Sequence, residues 1–179
     1  AVGHVLYGAS NPERADAQPL VVRHIKGSMA LAFNGALVNA LELKEELELK
    51  GAIFHSNSDA EIISHVIINE RLHTNSIEEA IEKAMDKLKG AYSMVVMSPQ
   101  KLMAVRDPQG IRPLAMGKMG GEIVFASESC AFDSIGAKFV RDVRPGEIIV
   151  VDRSGVRSLE SHCGQKSGLC VFELSLIHI

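Results

Sequence analysis

The sequence predicts an α+β fold, and three observations carry the prediction. Between residues 39 and 90, three helix-start signatures recur, each followed by apolar residues at three- and four-residue spacing. After Gly90 the period changes to short runs rich in Val, Ile and Met, punctuated by Pro99, Gly110, Gly120-Gly121 and Pro145-Gly146. Strands, then helices, then strands favour antiparallel layers, because a doubly wound parallel sheet needs a helix in every crossover.

In chain order, residues 3–7 read as a first strand, 11–18 as a polar loop, 20–22 as a short apolar segment and 29–33 as a second strand. Asn39 with Glu42, Ser58 with Glu61 and Ser76 with Glu79 each place an acid three positions after a capping residue, the spacing that satisfies the free N–H groups of a first turn. Their apolar faces agree: Leu43 and Leu47; Ile62, Ile63, Val66 and Ile67; Ile77, Ile81, Met85 and Leu88. Gly51 and Gly90 are the expected stops of the first and third helices. Beyond them, strands are expected over 91–97, 101–106, 114–118, 123–126 and 147–151.

With 179 residues, 46% of them apolar, the chain is long enough to bury one sizeable core. A formal charge of -3 with scattered Lys and Arg provides no basic stripe, so nucleic acid is not an expected partner. No apolar run reaches the roughly 18 residues of a membrane span, and residues 1–7 have no signal-peptide pattern. The expected location is cytoplasmic. Cys130, Cys163 and Cys170 include no C-x-x-C pair, which argues against a disulfide framework or a self-contained zinc site. The histidines show no metal-ligand spacing.

The stretch L-A-F-N-G-A-L-V-N at Leu31 is the most informative for chemistry. Its apolar run is expected to stop at Asn34-Gly35, where glycine permits a positive-φ turn and the close approach of a substrate. The Asn34 amide and the Gly35 N–H would then be neighbouring donors for a developing negative charge. On the dipeptide alone, an ordinary tight turn is the competing reading. Asp59, in a first helical turn, is equally explained by the helix dipole. Cys130 reads as a small buried hydrophobe.

Eight strings occur in order: G-H-V-L-Y at Gly3, A-Q-P-L at Ala17, L-A-F-N-G-A-L-V-N at Leu31, S-D-A-E-I-I-S-H at Ser58, L-K-G-A-Y-S at Leu88, R-D-P-Q-G-I-R-P-L at Arg106, A-S-E-S-C-A-F-D at Ala126 and V-R-P-G-E-I at Val143. This ordered set, covering residues 3 to about 173, resembles the glutamine amidotransferases of the N-terminal-nucleophile type. The Arg106 and Ala126 strings resemble most closely the branch that opens purine synthesis. The resemblance implies a four-layer αββα sandwich in which an N-terminal cysteine, with its own α-amine as base, attacks the glutamine amide, forms a thioester and releases ammonia. It implies that Asn34 and Gly35 form the oxyanion hole and that Asp59 holds the α-ammonium of glutamine.

Departures from the pattern accompany these matches. Leu6 stands where the family's arginine grips the substrate carboxylate, Ala9 near a position usually threonine, and Phe33 where a histidine commonly precedes Asn-Gly. The nucleophilic cysteine is absent from the chain as given, which is therefore expected to be inactive by itself. Residues 1–168 are expected to be a glutaminase domain without its first strand and nucleophile. Residues 169–179 would begin a linker to an absent phosphoribosyltransferase domain, with a tail that leaves the family pattern from about 174. Cys170, in C-V-F-E, resembles the position that gives a first thiolate to an iron–sulfur cluster in one class of these enzymes. No cofactor is expected in the fragment; Mg2+ and a 4Fe-4S cluster are expectations for a complete enzyme, as is a homo-oligomer. Glutamine is the expected partner here, and phosphoribosyl pyrophosphate the partner of the absent domain. Two other readings stay open: the glutaminase domain of a hexosamine- or asparagine-forming enzyme, and a catalytically dead module, suggested by Leu6, Ala9 and Phe33.

Overall fold

The computed structural model describes residues 1–5 and 17–168. Leu6, Ala9 and Cys170, the last two residues of the expected first strand, and the whole expected linker lie outside the described residues. In chain order the elements are β1 (Leu20–His24), β2 (Gly27–Leu37), α1 (Ala40–Leu49), α2 (Asp59–Leu72), α3 (Ile77–Met85), β3 (Gly90–Met97), β4 (Leu102–Arg106), β5 (Ala115–Met119), β6 (Glu122–Ala126), α4 (Cys130–Ile135), β7 (Lys138–Asp142), β8 (Ile148–Asp152) and β9 (Gly155–Leu159). Six strands form one antiparallel sheet in the order β1-β2-β3-β4-β8-β9, and three form a second in the order β6-β5-β7.

Alternation along the strands builds the layers. Met29, Leu31 and Phe33 of β2, with Tyr92, Met94 and Val96 of β3 and Ile148 and Val150 of β8, pack against Leu43, Leu47, Ile63, Ile67 and Ile81 of the helices. The opposite face of the large sheet, through Ala104 and Ile149, meets Met116 and Leu114 of the small one. Phe132 of α4 covers the outer face of the small sheet against Ala115 and Ala137. The result is the four-layer αββα sandwich. The helix-facing core carries most of the buried bulk.

The helix starts fall at Asn39, Ser58 and Ser76, and the last comes nearest to a capping box: Ser76 Oγ accepts from Glu79 N at 3.2 Å, while Glu79 accepts from Asn75 N, one residue before the cap. Ser58 instead accepts from Ala60 N, and Asn39 makes no cap bond but joins Lys87 O and Lys89 N. Gly51, at φ +91°, follows the C-cap Lys50 of α1 as expected. Gly90 does not stop α3, which ends at Met85; it opens β3, where a side chain would lie 2.3 Å from Ala36 O. Residues 3–5 are not in a strand. Cys130 is exposed rather than buried, because α4 turns Phe132 inward and leaves its first residue outside.

An ion pair between a buried carboxylate and a partly exposed arginine joins the two sheets. Glu147, fully enclosed before β8, accepts two bonds of 2.7 Å from Arg141 of β7, with Arg144 N and Ser158 Oγ as further donors. Burial alone would raise its pKa; the hydrogen bonds from Arg141, Ser158 and Arg144 overcome that and hold it at about 2.

Candidate active site

Asn34-Gly35 is not a turn. The two residues lie inside β2, opposite Ser93 and Tyr92 of β3, and the strand continues to Leu37. Gly35 has φ +150°, and an added Cβ would lie 2.1 Å from Ala91 O and 2.8 Å from Tyr92 Cα. Close backbone approach, rather than chain reversal, requires the glycine.

The ladder explains where its donor points. Phe33, Gly35 and Leu37 alternate toward the free edge of β2, beyond the last residue paired with β1, Leu31. Phe33 N donates to Gln18 Oε1 at 2.6 Å and Leu37 N donates to Asp59 Oδ2 at 2.8 Å. Between these satisfied donors stands Gly35 N–H, while Tyr92, opposite it, donates its N–H to Asp107 Oδ2 and accepts from Asp107 N at its C=O. The Asn34 side chain falls on the sheet–sheet face and makes no hydrogen bond among the described residues.

Asp59 reaches this edge because the preceding loop is stapled to α2. Buried Glu61 accepts from His55 N, Ser56 N and Ser56 Oγ at 2.7–2.9 Å, folding residues 55–58 over the helix start. The Asp59 carboxyl is half-buried, and desolvation outweighs the Leu37 hydrogen bond, so its pKa lies above the ordinary carboxylate value.

Asn34, Gly35 and Asp59 line one cleft of about 1090 Å³, together with Arg112, Ser127 and Glu128 from the small-sheet side. Arg112 is placed by the R-D-P-Q-G-I-R-P-L string folding upon itself. Buried Asp107 accepts from Gln109 N, Ile111 N and Arg112 N, while the Arg106 guanidinium donates to the carbonyls of Gly110, Arg112 and Val143. Gly3 and His4 line the cleft and a narrower space of about 90 Å³ that continues between the sheets. Burial lowers the pKa of His4. Arg112, His4 and Gln18 carry no independent chemical signal in the sequence; they lie within the quoted strings, and only tertiary structure brings them to β2.

Neither described thiol resembles an activated nucleophile. Cys130 Sγ donates to Glu128 Oε2 at 3.3 Å, and that bond raises its pKa; burial, then Glu160 and Glu147, raise that of Cys163. Among the described residues no three His, Cys, Asp or Glu side chains gather as a metal site.

Residues 9–134 match the glutamine amidotransferase domain model, and the chain belongs to that family. Within it, the similarity is to amidophosphoribosyltransferases: 46% identity over 97% of the chain to amidophosphoribosyltransferase 3, chloroplastic, of Arabidopsis thaliana, and 39% over 97% to the Bacillus subtilis enzyme. The chain spans 33% and 36% of those two proteins. The solved B. subtilis glutamine phosphoribosylpyrophosphate amidotransferase, complexed with ADP and GMP, superposes over 95% of the chain and 36% of its own, with TM-score 0.85 and 38% identity.

Proposed function

We propose that the cleft binds L-glutamine and hydrolyses its side-chain amide, as the glutaminase part of an enzyme that delivers the ammonia to phosphoribosyl pyrophosphate and forms 5-phosphoribosylamine, the first step of purine synthesis. The observation that carries the reading is that Asn34, Gly35 and Asp59 line one cleft, with Asp59 tied to the β2 edge through Leu37 N–H. Similarity to amidophosphoribosyltransferases supports the choice of acceptor.

In this reading Asp59, with Oδ2 fixed by Leu37 N–H, presents its other oxygen to the α-ammonium of glutamine. Arg112 is the one arginine among the described cleft-lining residues, and it supplies the positive charge for the α-carboxylate that Leu6 does not carry. The side-chain carbonyl oxygen then sits on Asn34 Nδ2 and Gly35 N–H. As the thiolate of a terminal cysteine adds to the amide carbon, negative charge moves onto that oxygen and the two donors stabilise it; the cysteine's protonated α-amine gives its proton to the leaving nitrogen as the C–N bond breaks, ammonia departs, and water then hydrolyses the thioester to glutamate. The family's pattern takes the thiolate from an N-terminal cysteine, and neither described thiol, Cys130 or Cys163, is activated for that role.

The test uses the chain extended at Ala1 by a segment that begins with cysteine. Asn34→Ala should lower kcat for ammonia release by roughly 10² or more with little change in KM. An unchanged kcat contradicts the oxyanion role. Arg112→Leu should act mainly on KM, because a contact made equally in ground and transition states affects binding alone.

A further inference from the structure

A second cavity, of about 350 Å³, opens at the other end of β2, separated from Asn34 by about 20 Å of strand. It lies where the β1–β2 turn, the β3–β4 turn, the end of α2 and the start of α3 meet. Its titratable lining residues are all basic: Lys26, Arg71 and Lys101, with His24 beside them, in a chain whose net charge is -3.

The cations differ in how they are spent. Lys101 is held by Glu78 at 2.7 and 2.8 Å. Lys26 Nζ donates to Leu72 O and Thr74 O at 3.0 and 3.2 Å, and Arg71 Nη1 donates to Thr74 O at 2.6 Å. Those carbonyls fix both side chains without neutralising either charge, and each retains further N–H donors. The other nearby acids are engaged elsewhere: Glu79 with Lys83 and Asn75 N, Glu70 with Lys87. Ser76 and Ile77, at the positive end of the nine-residue α3, complete the wall with Ser28, Ser98 and Gln100. His24 reports the same field, since burial and then Arg71 and Lys26 lower its pKa.

We propose that this cavity is an anion site for a phosphate-bearing small molecule, with Lys26 and Arg71 as the gripping cations and the α3 N-terminus and Ser28 as neutral donors. The volume lies at the lower end of the roughly 300–1,000 Å³ range of small-molecule pockets, larger than orthophosphate alone requires. The site is independent of the glutamine cleft and stands or falls separately from it.

The test is titration of the isotope-labelled 179-residue chain with inorganic phosphate at constant ionic strength, with chloride as control. Saturable amide shifts are expected at Ser28, Ser76 and Ile77, together with a rise in the His24 pKa as the anion offsets the neighbouring cations. Lys26→Met with Arg71→Met should weaken phosphate binding at least tenfold. Gln100→Glu, which removes no structural contact and adds a negative charge at the rim, should also weaken it, covering the case in which the double variant fails to fold. A parallel titration with glucose 6-phosphate identifies the source of the phosphate: tighter binding than orthophosphate points to an ester, equal binding to the free ion. Shifts no larger than those caused by chloride, or an unchanged affinity in Gln100→Glu, overturn the proposal.

Discussion

The Asp59 carboxylate accepts a 2.8 Å hydrogen bond from the backbone N–H of Leu37, tying the first residue of α2 to the edge of β2 two residues beyond Gly35. One contact thus sets the distance between the charge that would hold a substrate ammonium and the donor that would hold its amide oxygen.

Asp59→Asn can keep that contact, since the carboxamide oxygen still accepts from Leu37, but it removes the charge. Glutamine affinity should fall by about 10- to 150-fold, equivalent to the roughly 1.5–3 kcal/mol of a hydrogen bond to a charged group. Calorimetry would check it, with an unchanged Tm showing that the fold is intact. The carboxyl pKa is raised by burial, so binding in the parent should weaken as pH falls through a pKa above the ordinary aspartate value of 3.8, and Asp59→Asn should abolish that dependence.

Gly35→Ala should be severely destabilising. The added carbon lies 2.1 Å from a backbone oxygen, which no rotamer change relieves. A loss of roughly 3 kcal/mol or more in urea unfolding is expected, placing the variant in the upper tail of single substitutions. A loss below about 1 kcal/mol would mean that β2 and β3 separate more easily than their register implies.

Acid stability should depend on Glu147. Its folded pKa is depressed from 4.5 to about 2, so the ionised form stabilises the fold above the ordinary carboxylate range, and that contribution is lost as pH falls from about 4.5 toward 2. Arg141→Met should cost on the order of 2 kcal/mol at neutral pH and shift the acid unfolding midpoint upward. Circular dichroism across that range reads both effects.

Tyr92→Phe should be neutral or stabilising by up to about 1 kcal/mol. The phenol is fully buried, its oxygen has no hydrogen-bond partner among the described residues, and burial raises its pKa. Thermal unfolding measures the difference; a large loss would reveal a partner for the hydroxyl.

Much of this architecture is legible in the residues. The change of period after Gly90 and the starts at Asn39, Ser58 and Ser76 correspond to real boundaries, because they are local properties of backbone and side chain. α4, β7 and β9 escape notice: α4 is six residues long, and β7 and β9 are largely exposed, so none imposes a periodic apolar pattern. Asn34-Gly35 misleads as a turn signal because the same glycine that would permit a reversal here permits two strands to approach. The pairing of Asp59 with Leu37, and the arrival of Arg112 at the cleft, depend on contacts across 22 residues or more and have no local signature.

The most direct measurement is a titration of the isotope-labelled chain with L-glutamine, following backbone and side-chain amides by NMR. The account predicts saturable shifts of the Gly35 N–H and the Asn34 side-chain amide, with accompanying shifts at Leu37 and Asp59, all strongly weakened in Asp59→Asn. Absence of saturable shifts in that group, or glutamine binding that survives Asp59→Asn unchanged, would contradict it.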